Sequence, residues 1–141
     1  MSSQIRRVDY FYTSVAAEAG AAVDVLDQPA QLGVNLLAFS AVPIGPMRTQ
    51  LTLFPEDRAT FENAARNAGI QVDGPHPALL ASGADSHGVV AKMLRRLAAA
   101  GIEVYASTGM ANAGCYCYLV HVRPNDIARA VAALDEQTAS R

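Results

Sequence analysis

The chain has 141 residues, of which 51% are hydrophobic and 17% are charged, and its formal net charge is -2. This composition is typical of one folded domain or two small ones and excludes a disordered chain. The slightly acidic balance leaves no broad basic surface, so neither nucleic acid nor an anionic membrane is an expected partner. No apolar run approaches the roughly 20 residues that span a bilayer, and the first residues lack the apolar core of a signal peptide, so we expect a cytoplasmic protein.

The first half of the chain alternates strand and helix patterns. Residues 5–15 predict a strand in which Val8, Tyr10 and Tyr12 share one face. A helix ending at Gly33 follows, because apolar side chains recur there at helical spacing and glycine readily takes the left-handed conformation that ends helices. The next predicted elements are strands at 34–42 and 49–54, a helix at 55–69, a short strand at 70–72, a break at 73–77 and a resumed strand at 78–83.

The second half begins with the most regular helix pattern in the chain. Asp85 or Ser86 is expected to cap this helix, and Gly101 to end it. Its apolar stripe consists of Val90, Met93, Leu94 and Leu97. The remaining predicted elements are a strand at 102–107, a loop at 109–114, a strand at 115–122 and a helix at 123–134 capped by Asn125 or Asp126.

The order of these elements repeats, because β-α-β-β-α-β is followed by β-α-β-β-α. Residues 20–38 and 88–106 align without a gap and share five identical pairs. The pairs are Gly20/Gly88, Leu26/Leu94, Ala30/Ala98, Gly33/Gly101 and Ala38/Ala106. We therefore predict an internal duplication, with one unit at 1–73 and another at 74–141.

One residue breaks the pattern of the repeat. Pro29 occupies the position of Leu97, inside the first helix. Proline within a helix costs about 3 kcal/mol or kinks the axis. We expect this helix either to bend there or to begin later than the pattern suggests.

Two segments of the repeat resemble the ACT domain: "PAQLGVNL" (Pro29–Leu36) and "LAAAGIEV" (Leu97–Val104), each a helix end, a glycine and a strand. With the element order around them, the resemblance covers about residues 5–137 as a tandem pair with no appended enzyme. It implies an α+β fold of two ferredoxin-like βαββαβ units, each with antiparallel strands in the spatial order 4-1-3-2 and helices on one face. The second unit has no predicted fourth strand, so either another segment fills that place or its sheet has three strands.

The resemblance also implies a function. ACT domains are ligand-sensing modules of amino-acid metabolism, and family members bind amino acids between the loop after the first strand of one unit and the second strand of its neighbour. The matching loops here are 16–20 and 83–88, and the matching second-strand ends lie near 40–42 and 108–110. The implied ligand-binding residues are Asp85, Ser86, His87, Gly88, Ala19, Gly20, Ser40, Ala41, Thr108 and Gly109. We therefore expect a regulatory protein that binds an amino acid, acts on an enzyme elsewhere and is not itself an enzyme.

A loop before a helix suits a small zwitterion on physical grounds. The first turn of a helix carries unpaired N–H groups and a partial positive charge, so a carboxylate can bind there. At Gly88 no side chain obstructs the backbone. Plain helix capping is the alternative role for Asp85 and Ser86, and His87 could equally be an exposed first-turn residue. Glu18 would repel a carboxylate, which favours the second loop.

Metal or cofactor binding is not expected. Cys115, Cys117 and His121 share one strand face, which raises zinc or copper as a hypothesis. Strand neighbours converge poorly on a single point, however, and no fourth ligand is evident. The spacing of the two cysteines also gives no disulfide framework.

An enzyme is the alternative class of function. Its candidate acid–base or nucleophilic residues are Tyr10, Tyr12, Tyr116, Tyr118, His121 and Cys115. No nucleophile elbow, P-loop, dinucleotide fingerprint or metal-ligand pair accompanies them. A polar cleft that holds a histidine within hydrogen-bond reach of a cysteine or an aspartate would favour an enzyme.

A third alternative is a structural or partner-binding module. The strand face that carries Cys115, Cys117, Leu119 and His121 is too apolar to be left in water, as is the matching face at 50–54. The matching positions on the other face, Val120 and Val122 against Leu51 and Leu53, are expected to form the helix-facing core. We expect a second chain to cover part of the apolar face, which makes the protein a homodimer.

Overall fold

The computed structural model of the chain describes residues 3–135, which form six strands, four α-helices and one short 3-10 helix. No helix in this range is long and apolar enough to cross a membrane. The strands are β1 (Gln4–Ala16), β2 (Leu36–Pro43), β3 (Arg48–Pro55), β4 (Asp73–Ala84), β5 (Ala106–Asn112) and β6 (Cys115–His121). The helices are α1 (Ala21–Gln31), α2 (Arg58–Ala68), α3 (Val89–Ala99) and α4 (Ile127–Leu134), with the 3-10 turn at Pro124–Asp126.

The predicted break at 73–77 is wrong, because β4 runs through it as a single strand. Residues 70–72, predicted as a strand, lie outside any strand. Gly74 makes this segment possible: a Cβ placed there would lie 2.8 Å from the Tyr10 carbonyl oxygen and 2.8 Å from the Phe11 ring. Glycine at this position therefore allows β4 to approach β1, whereas the sequence pattern predicts a break there.

The predicted loop at 109–114 is also mostly strand. β5 begins at Ala106 instead of residue 102 and continues to Asn112, which pairs with Cys115 across the hairpin. The turn consists of Ala113 and Gly114, whose φ angles are 52° and 79°. Two residues at positive φ give a tight turn that matches the twist of its strands, so the strands extend further than glycine and asparagine suggested.

The chain divides into two compact units. The contiguous unit is Asp9–His76, in which β3 pairs with both β2 and β1, and the start of β4 lies beside β1. Its helices pack on the strand face that carries Phe11 and Leu53, where the Phe11 and Phe61 ring centroids are 4.7 Å apart. The Thr13 hydroxyl donates to the Gln71 carbonyl at 2.9 Å, which ties the chain before β4 to β1.

The split unit consists of the chain from Pro77 onward together with the segment up to Val8. Its core contains Leu79, Leu97, Val120 and Leu134, which are all almost fully buried. Ile5, at the start of β1, packs against this core, so the beginning of β1 lies beside β4 in the place where the sequence showed no fourth strand. β1 and β4 are thus each divided between the two units.

Several backbone hydrogen bonds around the first helix of each unit repeat at a spacing of 68 residues. The Val34 amide donates to the Pro29 carbonyl at 3.0 Å, and the Ile102 amide donates to the Leu97 carbonyl at 3.0 Å. Ala21 and Val89 likewise donate to the carbonyls of Glu18 and Ser86, both at 3.3 Å. This agreement supports the duplication more directly than the five identical pairs do.

Pro29 lies inside α1, which begins at Ala21, so the alternative that this helix begins later than its pattern suggests is wrong. Proline lacks an N–H donor but keeps its carbonyl, which accepts from Leu32 and Val34 as the Leu97 carbonyl accepts from Ala100 and Ile102. Its ring is buried, as the Leu97 side chain is. Proline near the C-terminal end of α1 therefore removes the amide that would donate to the Val25 carbonyl, while the Pro29 carbonyl itself stays paired.

Candidate ligand-binding site

The loops before α1 and α3 end in the same way. Gly20 and Gly88 precede the two helices in the left-handed conformation, with φ angles of 86° and 75°, and neither helix has a side-chain cap. The side-chain cap predicted from Asp85 or Ser86 is therefore absent. Gly88 takes the capping position instead, three residues after Asp85 and two after Ser86, because its positive φ turns the chain into the helix there.

The other helices show the contrast. In α2 the Asp57 carboxylate accepts from the Ala59 amide at 3.0 Å and from the Thr60 amide at 3.4 Å. The cap predicted for α4 is absent: Asp126 stands at the capping position without such a bond, and its carboxylate accepts from the Arg129 guanidinium at 2.8 Å. In α1 and α3, which each have a glycine before them, no side chain caps the first turn, although the Ala21 and Val89 amides donate to the Glu18 and Ser86 carbonyls.

Each of the two loops is fixed to the hairpin turn of its own unit. The Ala17 amide donates to the Met47 carbonyl at 2.9 Å, and the Asp85 amide donates to the Gly114 carbonyl at 2.9 Å. No heavy atom lies within 4 Å of a Cβ placed on Gly20 or Gly88, apart from their own chain neighbours. The loops are therefore held at one end and open above the glycine.

The predicted site residues on these loops are all exposed, and they comprise Ala19, Gly20, Asp85, Ser86, His87 and Gly88. Gly88 also accepts within α3, since its carbonyl bonds the Lys92 amide at 2.9 Å. The geometry places Asp85 to Gly88 together on one short segment, as the sequence requires. Their proposed contact with a ligand stays a prediction.

The second-strand candidates lie within the hairpins. Thr108 and Gly109 are exposed on β5 and pair with Leu119 and Tyr118 of β6. A Cβ on Gly109 would lie 3.4 Å from the Tyr118 ring and 3.8 Å from the Val90 side chain, so Gly109 lies near the first turn of α3 within the split unit. In the contiguous unit the candidates Ser40 and Ala41 pair with Thr52 and Leu51.

A polar cluster that the sequence did not predict lies in the contiguous unit. The Tyr12 hydroxyl donates to Asp73 Oδ2 at 2.7 Å, and His76 Nε2 lies 2.7 Å from Asp73 Oδ1. The Tyr12 and His76 rings stack with centroids 5.3 Å apart. These bonds lower the pKa of the Asp73 carboxyl, first through Tyr12 and then through His76, and the bond to Asp73 raises the pKa of the Tyr12 hydroxyl.

Tyr12 and Asp73 border an open pocket of about 680 Å³, which also contains Ser14, Ile44 and Gln50. A histidine within hydrogen-bond reach of an aspartate is the feature that would favour an enzyme. Both carboxylate oxygens of Asp73 are already engaged by Tyr12 and His76, however, and no cysteine lines the pocket. The cluster therefore orders the start of β4 and the wall of the pocket. Sequence reasoning missed it because it treated 73–77 as a break.

The other candidate catalytic groups are dispersed. Cys115 and Cys117 are free and exposed, and the rings of His121 and Tyr105 meet at 6.0 Å. The Tyr116 hydroxyl donates to the Ser3 hydroxyl at 3.1 Å, and the buried Tyr118 hydroxyl has no hydrogen-bond partner among the described residues. Within residues 3–135 no group of three His, Cys, Asp or Glu side chains could hold a metal ion.

Several solved structures share the fold. A protein from Bacteroides thetaiotaomicron aligns with a TM-score of 0.81 over 94% of this chain and 90% of its own, at 16% identity. The regulatory subunits of aspartate kinase from Thermus thermophilus and Thermus flavus each align with a TM-score of 0.65 at 15% identity. These alignments cover 95% and 99% of this chain, and 95% and 97% of the subunits. No protein-family model matches, and no curated protein matches by sequence.

At these identities the likeness shows the fold: antiparallel strands with helices, arranged as in the regulatory subunits of aspartate kinase. The two Thermus proteins are regulatory subunits, and what this chain shares with them is the fold. Fold alone leaves the ligand and the partner of this chain to be inferred from its own residues.

Proposed function

We propose that the chain is a non-catalytic regulatory protein that binds a small ligand, an amino acid, through two ACT-like units. The observation that carries this proposal is the repeated loop: both units place a left-handed glycine before a helix that has no side-chain cap. The fold shared with aspartate kinase regulatory subunits supports a regulatory role. The enzyme or other protein that is regulated would be a separate cytoplasmic partner.

The proposal treats each unit as a ferredoxin-like βαββαβ sandwich. In the contiguous unit the strands lie in the order β2-β3-β1 with the start of β4, and in the split unit in the order β5-β6-β4 with the start of β1. Numbered within each unit, both orders are 2-3-1-4, which is the expected order 4-1-3-2 read from the opposite edge. Two folding units of this kind were predicted at 1–73 and 74–141, and we retain two ACT-like units as part of the proposal.

The proposed binding chemistry uses the backbone. A ligand carboxylate would accept from free amides at the start of α3, around Ser86 to Gly88, where the helix dipole is positive. The ammonium group would be held by carbonyl and hydroxyl acceptors such as those of Thr108 on β5, with Gly109 leaving space near Val90. Glu18 lies in the corresponding loop of the contiguous unit, and its negative charge makes the loop before α3 the stronger site.

Thermal unfolding with each of the twenty amino acids tests the proposal. A bound ligand stabilises the folded state by mass action, so at least one amino acid should raise the melting temperature. The variant Gly88→Asn keeps a residue that tolerates positive φ but places a side chain over the open turn, and it should lose the shift.

Gly33→Asn is the matched control, since Gly33 also has a φ of 86° and open space around it but lies after α1. This variant should keep the ligand-induced shift. If no amino acid changes the melting temperature of the unmodified protein, the proposed ligand class is wrong.

A second candidate function, partner binding through the strand face, is favoured by the exposure of β5 and β6. Met110 is 70% exposed and pairs with the exposed Cys117, next to Leu119. In the matching face predicted at 50–54 of the contiguous unit, Phe54 is buried and its ring meets Tyr10 at 5.3 Å. We propose that the homodimer forms through the β5–β6 face.

Leu119→Lys should convert this homodimer into a monomer in analytical ultracentrifugation and leave amino-acid binding intact. Leu94→Lys, on the exposed surface of α3, should leave the dimer unchanged. A monomeric unmodified protein, or a dimer that tolerates Leu119→Lys, would exclude this surface as the interface.

A further inference from the structure

The contiguous unit contains a second, apolar pocket that the proposed amino-acid site does not use. It has a volume of about 290 Å³ and lies under α1, between that helix, the strands and α2. Its lining includes Val25 and Pro29 of α1, Leu53 of β3 and Phe61 of α2. A pocket of this size among apolar side chains is at the lower end of the range of small-molecule sites.

The split unit shows why the pocket exists. The positions that correspond to Val25 and Pro29 are Met93 and Leu97, which are 6% and 0% exposed in the core of that unit. Met93 and Leu97 fill the space between their helix and the strands, whereas valine and proline are shorter and leave it empty. The Pro29 and Leu97 carbonyls accept from equivalent amides at the ends of the two helices, so we attribute the pocket to side-chain volume.

The chemistry of the lining defines the ligand. Asn35 is the polar residue among the lining side chains. Its side-chain Nδ2 donates to Glu56 Oε2 at 3.2 Å, and its main-chain carbonyl accepts from the Glu56 amide at 2.8 Å. The other lining side chains are apolar, so the pocket offers mainly apolar contact. A cavity of about 150 Å³ binds a benzene molecule, so this one has room for a single ring with a short substituent or a branched aliphatic chain of similar size.

We propose that the contiguous unit binds a small uncharged apolar molecule, one ring or a short branched chain, in the pocket beneath α1. This site is separate from the loop before α3 and does not depend on the proposed amino-acid ligand. Val25, Pro29 and Phe61 form its walls, and replacement by the residues of the other unit would close it.

Fluorobenzene, followed by fluorine NMR on the full chain, is the probe. The unmodified protein should show saturable binding, and Val25→Met/Pro29→Leu should weaken it by about tenfold or more because the new side chains occupy the pocket. Val23→Met adds the same side chain at a 60% exposed position of α1 and should bind as the unmodified protein does. Val25→Met alone should also weaken binding, which preserves the test if the double variant fails to fold.

Two results would overturn the proposal. One is the absence of saturable fluorobenzene binding to the unmodified protein. The other is equal binding by a folded Val25→Met variant and by Val23→Met. Gly88→Asn, which removes the proposed amino-acid site, should leave fluorobenzene binding unchanged, so failure of one proposal is distinguishable from failure of the other.

Discussion

The contiguous unit and the split unit share one backbone frame but fill it differently. In both, the residue directly after the glycine that follows the helix, Val34 or Ile102, donates its amide to the same carbonyl position, Pro29 or Leu97, at 3.0 Å. In the split unit, Met93 and Leu97 of α3 pack into the core. In the contiguous unit, Phe11 of β1 and Phe61 of α2 fill the core, and a pocket remains beneath α1. The two units thus keep equivalent hydrogen bonds at these positions while side chains of different volume fill their cores.

The largest expected effect compares the two helices directly. Leu97→Ala should lower the free energy of unfolding by about 2–5 kcal/mol, because it removes a fully buried side chain and leaves a cavity. Pro29→Ala should cost less than about 1 kcal/mol, since the lost ring contacts are offset by a better helix former beside an existing pocket. Urea denaturation measures both, and equal costs would contradict the packing difference.

The second comparison concerns helix starts. Asp57→Ala should cost about 1 kcal/mol, because Asp57 caps α2 through two amides. Ser86→Ala should change stability by less than about 0.5 kcal/mol, because its side chain does not cap α3. Chemical denaturation in the absence of ligand provides the test. A cost for Ser86→Ala as large as that for Asp57→Ala would mean that α3 is capped by its own chain.

Two tyrosines of β6 give a smaller, sharper contrast. Tyr116→Phe should cost about 0.5–1.5 kcal/mol, because it removes the hydrogen bond that connects β6 to Ser3 in the split unit. Tyr118→Phe should be neutral or stabilising, since it removes a buried hydroxyl that has no protein partner among the described residues. Denaturant midpoints of the two variants should therefore move differently. A loss for Tyr118→Phe that matches that of Tyr116→Phe would show that this hydroxyl has a partner.

The smallest expected effect is the pH dependence that His121 contributes. Burial lowers the pKa of the His121 imidazole, so the folded chain keeps it neutral where the unfolded chain already binds a proton. Stability should therefore fall as the pH drops from about 6.5 towards the folded pKa. His121→Gln should flatten this part of the profile, measured by urea denaturation between pH 5 and 7.5. An unchanged slope would contradict the assignment.

Asp73 provides the comparison in the contiguous unit. Its pKa is lowered by the Tyr12 and His76 bonds, so its stabilising contribution is present above the ordinary aspartate pKa of about 3.9 and is lost as the pH falls below it. His121 and Asp73 should thus make the stability of the chain depend on pH in two different ranges, near neutral pH for His121 and below about 3.9 for Asp73.

Much of the fold could be predicted from the sequence. Glycines at helix ends, apolar stripes and the repeated order placed the four helices and most strands, and they identified Gly20 and Gly88 as the ends of equivalent loops. The sequence did not reveal that the start of β1 completes the split unit, because the contacts of Ile5 and Ser3 join residues more than 70 positions apart. Such long-range pairing leaves no local pattern.

The local pattern is also misleading around Gly74. It predicts a break there, although the missing side chain of Gly74 is what lets β4 approach Tyr10 and Phe11. The polar cluster of Tyr12, Asp73 and His76 could not be predicted, because it depends on that approach. The pocket beneath α1 has a signal in the sequence, because Val25 and Pro29 align with the larger residues Met93 and Leu97 in the repeat.

The central claim is that the open helix start after Gly88 binds an amino-acid carboxylate. Nitrogen–proton NMR spectra of the full chain, recorded with each amino acid, test it most directly because each backbone amide is observed separately. The account predicts saturable shifts concentrated at the amides of residues 86–90 and, more weakly, at 19–23. Shifts confined to other residues, or no shifts with any of the twenty amino acids, would contradict it.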